Sequence, residues 1–85
     1  MDIGDIVISL AGHDAGKPFI VVAQAGKDFV LIADGKSRGM EKPKLKRTKH
    51  LRVAGRSGIK NPTNAALNKR IKQFIDSDRR SYAEK

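Results

Sequence analysis

In "LAGHDAGKPFIVV", Leu10–Val22, a glycine-rich loop runs into a segment of apolar, mostly β-branched residues. A nucleotide-binding loop has the pattern G-x-x-x-x-G-K-[ST] and leads from a strand into a helix, because its amides wrap phosphates and its hydroxyl ligates magnesium. Here only three residues separate Gly12 from Gly16, and Pro18 stands where that hydroxyl should be. The following "FIVVA" predicts a strand, not a helix whose N-terminus faces phosphates. We therefore interpret the loop as a turn between two strands.

Apolar runs on both sides of this loop predict further strands. The alternation from Ile6 to Leu10 puts Ile6, Ile8 and Leu10 on one face, as in a half-buried strand. The other strands are expected at Phe19–Gln24, at Phe29–Ala33, near Ser37–Glu41 and at His50–Val53.

The turn residues between these runs favour an antiparallel arrangement. Asp34-Gly35 is typical of a tight hairpin, and Pro43 interrupts ladder pairing, so "KPKLKRTK" is predicted to be a loop or an edge segment. Short strands at close spacing, with no helix between them, predict a mostly β fold: a small, closed or nearly closed antiparallel barrel of about five strands. This barrel is expected to occupy residues 1–53.

One C-terminal amphipathic helix is expected over residues 62–80, after a linker at 54–61 and before a tail at 81–85. Asn61-Pro62 or Thr63 gives the start signal. An apolar stripe falls within an arc of about 100°, and it is formed by Leu67, Ile71, Phe74 and Ile75. The opposite face carries Lys69, Lys72, Asp76 and Arg79. The stripe could pack on the barrel, on a protein or on RNA.

The charge distribution changes abruptly along the chain. The 85 residues carry a formal net charge of +9. Residues 1–35 have two lysines against five aspartates, a net charge of −3, whereas residues 36–85 have sixteen Lys and Arg against four acids, a net charge of +12. This asymmetry favours a polyanionic partner over general solubility. The absence of cysteine excludes disulfides, and no apolar run approaches the roughly 18 residues of a membrane span, so we expect a cytoplasmic protein without a membrane partner.

The segment Lys36–Arg52, "KSRGMEKPKLKRTKHLR", contains nine basic residues, counting His50, and one acid. Such a segment either contacts phosphates or forms a solvated edge that deters strand pairing. We favour phosphate contact because edge protection needs only one or two lysines. Together with a lysine of the opening loop, the candidate contacts are Lys17, Lys36, Arg38, Lys42, Lys44, Lys46, Arg47, Lys49, His50 and Arg52.

Other chemistry has little support in the residues. His13 and His50, without cysteines or a carboxylate cluster, make a weak metal site, so we predict neither metal nor cofactor; His50 either contacts a base or phosphate or is structural. We expect no enzyme, because no nucleophile-base or carboxylate pair occurs at meaningful spacing. The aromatic residues are few, and three of them lie at core-type positions: Phe19, Phe29, Phe74 and Tyr82. This composition predicts recognition of backbone and shape rather than stacked bases.

The segment "GDIVISLAGHDAGKPFIVV" resembles the KOW motif, in which a strand leads through a G-x-D-x-G-K turn into a second strand. Gly12, Asp14, Gly16 and Lys17 match that turn. The continuation "DFVLIADGKSRGMEKPKLKRTKHL" is similar to small bacterial KOW-domain RNA-binding proteins, which are related to large-subunit ribosomal proteins of archaea and eukaryotes. The resemblance covers residues 3–53.

This resemblance implies an SH3-like barrel that binds RNA and has no enzymatic activity. Phe19 stands where many KOW segments carry glycine, and Ala15 stands where a lysine is common. The missing lysine at position 15 shifts the expected RNA contact towards the basic segment. KOW domains also occur in NusG-type transcription factors, where they can bind proteins. The expected function is therefore binding of structured, ribosomal RNA, as a subunit protein or a transient factor of translation. The alternative is a protein-interaction module of the transcription or translation machinery, and DNA stays open as the nucleic acid.

Overall fold

The structure is a computed structural model that describes the backbone of residues 1–83 and the side chains of residues 1–77. Within residues 1–83, five strands and one helix follow one another: β1 (Asp5–Ser9), β2 (Pro18–Gln24), β3 (Phe29–Ala33), β4 (Lys44–Arg47), β5 (Leu51–Arg56) and α1 (Asn64–Ala83). A short 3₁₀ turn, Thr48–His50, joins β4 to β5. All pairings are antiparallel, in the order β4-β3-β2-β1-β5.

The strand order requires a curled sheet. β4 and β5 are its two edges, yet they are consecutive in the chain and only three residues separate them. In a flat five-stranded sheet the two edges would lie about 19 Å apart. The four steps from Arg47 to Leu51 span at most roughly 14 Å even when fully extended. The sheet therefore rolls up, and the prediction of a mostly β, barrel-like fold with one C-terminal helix is confirmed.

The sheet is buried on both faces. One face encloses the barrel core, formed by Val7, Phe19, Val21, Val30, Ile32 and Leu51. The other face packs against α1 through Ile6, Ile20 and Ala33, which contact Leu67 and Ile71. The helix stripe thus packs on the barrel, with Phe74 and Ile75 at its margin.

This double burial corrects the expected face of β1. Adjacent Ile6 and Val7 are both fully buried, because the helix covers one and the barrel core covers the other. Ile8 is half-buried and Leu10 is 53% exposed, so the predicted buried face of Ile6, Ile8 and Leu10 is wrong beyond its first residue.

The fourth strand also lies elsewhere than predicted. The expected strand near Ser37–Glu41 is wrong: residues 34–43 form turns and bends. The Asp34 carboxylate organises the first of them, because it accepts hydrogen bonds from the Lys36 and Arg38 amides and from the Ser37 hydroxyl. The fourth strand is β4, which pairs only with β3 and is therefore an edge strand despite the proline before it.

The helix begins where its capping residue predicts. The Thr63 hydroxyl accepts a hydrogen bond from the Ala66 amide at 3.1 Å, which satisfies one free donor of the first turn. The start of the helix also docks on the 34–43 loop: the Asn64 side chain accepts from the Met40 amide at 2.7 Å and donates to Glu41 at 3.0 Å. Gly35 lies so close that a Cβ there would clash with the Asn64 carbonyl oxygen.

The element bounds refine the expected organisation. β5 extends to Arg56, into the expected 54–61 linker, and α1 begins two residues after position 62 and runs to Ala83, into the expected tail. Residues 84–85 of that tail, and the side chains of Arg79 and Tyr82, lie outside the described part. None of the helical segments described has the long apolar stretch that a membrane span requires.

Candidate nucleic-acid interface

The loop between β1 and β2 is a compact turn. Its base is closed by hydrogen bonds from the Gly16 amide to the Ser9 carbonyl at 2.7 Å and from the Ser9 amide to the Lys17 carbonyl at 3.0 Å. Gly12 and Gly16 have φ of +80° and +87°, a conformation that side chains with a Cβ rarely adopt. The glycines at these positions are therefore required by the backbone of the turn.

Two lysines of β4 hold this loop from the side. The register of β4 with β3 places Lys44 opposite Ile32 and Lys46 opposite Val30, so both lysines share the sheet face of the barrel core. Both side chains are half-buried, and their ammonium groups reach the β1–β2 loop. Long charged side chains commonly bury their stems in this way while the charged end finds a polar partner.

The two ammonium groups bind different parts of the loop. Lys44 forms an ion pair and hydrogen bond with Asp14, and the two side chains are 31% and 22% exposed. Lys46 donates to the Ala11 carbonyl at 3.1 Å. The hydrogen bond from Lys44 holds the pKa of Asp14 below its ordinary value against partial desolvation, and the nearby charges of Lys46 and Lys17 act in the same direction. The loop carboxylate therefore stays ionised and fixed.

The structure thus divides the predicted contact residues by what their charged groups do. Lys44 and Lys46 bind within the chain, whereas six of the other eight have exposed side chains. The exposed ones are Lys17, Lys36, Lys42, Arg47, Lys49 and Arg52, and Arg38 and His50 are half-buried. His13 is exposed, and the His50 carbonyl accepts from the Leu10 amide at 2.8 Å, which ties the 3₁₀ turn to the same loop.

Four of the exposed predicted cations line two cavities. Arg47 and Lys49 line a cavity of about 300 Å³ with Asp28 and Thr48, where the 3₁₀ turn meets the β2–β3 turn. The Arg47 guanidinium lies 5.3 Å from the centre of the Phe29 ring, directly across the β3–β4 pair, and so covers the ring by a cation–π contact. Phe29 is therefore not a free stacking platform.

The second cavity adds a residue that the sequence analysis did not select. Lys17 and Lys36 meet Lys72 of α1 around a groove of about 270 Å³. The helical pattern placed Lys72 on the polar face, and only the packing of α1 across the sheet brings it to these lysines. Its position three residues before Ile75 of the apolar stripe was the available signal, because residues three apart are neighbours on a helix surface and a neighbour of the stripe lies at the edge of the contact.

No group of three or more His, Asp or Glu side chains within residues 1–77 is arranged to hold a metal ion. No protein-family model matches the sequence, and a search of curated proteins likewise returned no match.

Proposed function

We propose that this chain is a non-catalytic RNA-binding protein that docks structured, ribosomal RNA through the exposed cations around its β1–β2 loop and basic segment. The observation that carries the proposal is the lack of ion pairs at the remaining predicted cations. Within residues 1–77, none of these Lys and Arg side chains forms an ion pair with an acid, and all but the half-buried Arg38 are exposed: Lys17, Lys36, Arg38, Lys42, Arg47, Lys49 and Arg52. Unpaired like charges repel one another and oppose compaction, and a polyanion relieves that repulsion.

The internally bound lysines have a different role in this account. Lys44 and Lys46 fix the β1–β2 loop against β4, which holds Lys17 at one end of the loop in a defined position. Rigid presentation reduces the conformational entropy that binding would otherwise cost. These two residues are positioning residues, and the exposed cations supply the phosphate contacts.

The proposed interface recognises the backbone and shape of the RNA. Phe19 is buried, Phe29 is covered by Arg47, and Phe74 packs beside the helix stripe. Among the described side chains there is therefore no row of exposed aromatic rings on which successive bases could stack. Phosphate contacts position a protein on a nucleic acid with little dependence on sequence.

Sedimentation of cell lysate through sucrose gradients at moderate and high salt tests the proposal. We expect the wild-type protein to migrate with the large ribosomal subunit at moderate salt and to be released at high salt. A variant with Lys42→Gln, Lys49→Gln and Arg52→Gln should stay at the top. A control with Lys27→Gln, Lys60→Gln and Lys69→Gln loses the same charge from exposed positions outside the interface and should migrate as wild type. Wild-type protein found only at the top of the gradient would contradict the ribosomal assignment.

A protein-interaction module is the second candidate, and the edge strand β4 favours it. Leu45 is 55% exposed and lies opposite Leu31 on the outer face of the β3–β4 pair. An unpaired edge with an exposed leucine is a place where another chain can add a strand. Binding that survives high salt and is lost in Leu45→Ser, but not in the Lys42/Lys49/Arg52 variant, would select this function.

A further inference from the structure

A groove lies where α1 crosses the end of β3 and the start of β2. It has a volume of about 270 Å³, near the lower end of ligand sites, which begin at roughly 300 Å³. Its size suits one small chemical group and is too small for a helix or a duplex. It is lined by Lys17, Pro18, Asp34, Lys36, Asn68, Ile71, Lys72 and Ile75.

The charge of this groove favours an anion. Lys17, Lys36 and Lys72 come from three separate elements, and all three are exposed. The single acid of the lining, Asp34, is engaged by its own turn: it accepts from the Lys36 amide at 2.9 Å and the Ser37 hydroxyl at 2.6 Å. The three ammonium groups therefore exceed the carboxylate charge by two.

The floor of the groove is apolar, which a site for phosphate alone would not need. Pro18, Ile71 and Ile75 offer a proline ring and two branched side chains, and the Asn68 side chain stands beside them with both a donor and an acceptor. Cations around an apolar floor match a nucleotide, in which a charged phosphate is attached to a flat, largely apolar ring system with polar edges.

We infer that this groove holds one unpaired nucleotide of the bound RNA, with its phosphate among Lys17, Lys36 and Lys72 and its base against Pro18, Ile71 and Ile75. This inference rests on the proposed RNA-binding function and assigns the C-terminal helix to the same interface. Partial burial acts to raise the pKa of Asp34, but the hydrogen bonds from Ser37, Arg38 and Lys36 outweigh that effect and hold the pKa below its ordinary value. Its carboxylate is therefore ionised at neutral pH and stays bound to its own turn.

Two exposed lysines of α1 give a matched pair of variants. Lys72 lines the groove, whereas Lys69, three residues earlier on the same helix, does not. Lys72→Gln and Lys69→Gln remove the same charge from similar helical positions, and neither side chain is buried, so both variants should keep the wild-type melting temperature. A difference in RNA binding between the two variants therefore measures the contribution of the groove to binding.

The test measures binding to two hairpins of ribosomal-type RNA, identical except that one carries a single bulged nucleotide. We expect wild type and Lys69→Gln to bind the bulged hairpin several-fold more tightly, and Lys72→Gln to lose that preference. The slope of log K against log salt should become shallower by about 0.7–0.9 in Lys72→Gln, the loss of one phosphate contact.

The possible results distinguish failure of the groove inference from failure of the proposed RNA binding. Salt-dependent binding with equal behaviour of Lys72→Gln and Lys69→Gln would overturn the groove inference and leave RNA binding standing. An absence of wild-type binding to either hairpin would overturn the proposed function itself. Free uridine monophosphate that binds as tightly as the bulged hairpin would show a mononucleotide site and would also overturn the inference.

Discussion

Lys44, the first residue of β4, is paired with Asp14, in the middle of the β1–β2 loop thirty residues earlier. This contact joins the turn that resembles a KOW motif to the basic segment of the chain. It also shows that a lysine in a cationic run is not necessarily a ligand for an external anion. The charge of Lys44 holds the loop, as does that of Lys46, whereas Lys42 and Lys49 nearby are exposed and form no ion pair with a described acid.

Removing this ion pair should increase the motion of the β1–β2 loop and have little effect on the stability of the whole fold. We expect Lys44→Met to lower the free energy of unfolding by at most about 1 kcal/mol, because the pair is partly exposed to solvent. Amide hydrogen exchange in residues 10–17 should become faster, with little change in β2 and β3. Urea unfolding of Lys44→Met, Asp14→Asn and the double variant measures the coupling; additive losses would contradict a direct interaction.

The same pair predicts an acid-dependent part of stability. The pKa of Asp14 in the folded chain lies below its ordinary value of 3.8. Between these two values the unfolded chain binds more protons than the folded chain, so the free energy of unfolding decreases as the pH falls. The stabilisation is complete above the ordinary value and is lost as the pH falls through the lowered one.

Urea unfolding between pH 2 and pH 6 measures this dependence. Below pH 3.8, the free energy of unfolding of Asp14→Asn should fall less steeply with decreasing pH than that of wild type. Some pH dependence should remain, because Asp34 and other acids still titrate. Identical slopes for wild type and Asp14→Asn would show that the pair does not stabilise the folded state.

The docking of α1 on the 34–43 loop depends on the absence of a side chain at Gly35. Gly35 and Gly58 have similar φ, +78° and +72°, but a Cβ at Gly58 would meet nothing within 4 Å. Gly58→Ala should cost about 1–2 kcal/mol for the left-handed conformation alone. Gly35→Ala should cost a further 1–3 kcal/mol or so, because the Asn64 carbonyl must move. Equal losses in thermal unfolding would contradict the close approach.

The contact between helix and sheet makes a separate prediction. Leu67 is fully buried between α1 and the sheet, so Leu67→Ala should lower the free energy of unfolding by about 2–5 kcal/mol. Ala65, two residues earlier, is exposed, and Ala65→Ser should change stability by less than about 0.5 kcal/mol. A small effect of Leu67→Ala in urea unfolding would indicate that α1 does not stay on the sheet in solution.

The local sequence pattern predicted the strands that consist mainly of apolar and β-branched residues. β3 has the expected bounds, and β2 begins one residue before its expected start. β4 lies in "KPKLKRTK", which was predicted to be a loop or an edge segment because Pro43 and the three cations of "KLKR" oppose a central strand. Pairing with β3 makes it the edge strand. The face of β1 was misassigned because periodicity shows which positions alternate but not that a distant helix covers the second face.

In the candidate site too, features that depend on local sequence could be predicted and features that depend on tertiary packing could not. The charge boundary at Lys36 and the loop glycines were visible in the sequence, because both depend on local composition or backbone conformation. The inward direction of Lys44 and Lys46 depends on the β3–β4 register, and the position of Lys72 depends on how α1 packs. The register has no local signal, and the helical pattern shows that Lys72 lies beside the stripe but not which groups the stripe packs against. The sequence could therefore identify the cations but not their roles.

The most direct test of the central claim is the salt dependence of ribosomal RNA binding by the purified full chain. If about five phosphates are neutralised, log K should fall against log salt with a slope of about −3.5 to −4.5. The Lys42/Lys49/Arg52 variant should have a shallower slope, and the Lys27/Lys60/Lys69 control should keep that of wild type. A wild-type slope near zero, or equal slopes for the two variants, would contradict an RNA interface built from these exposed cations.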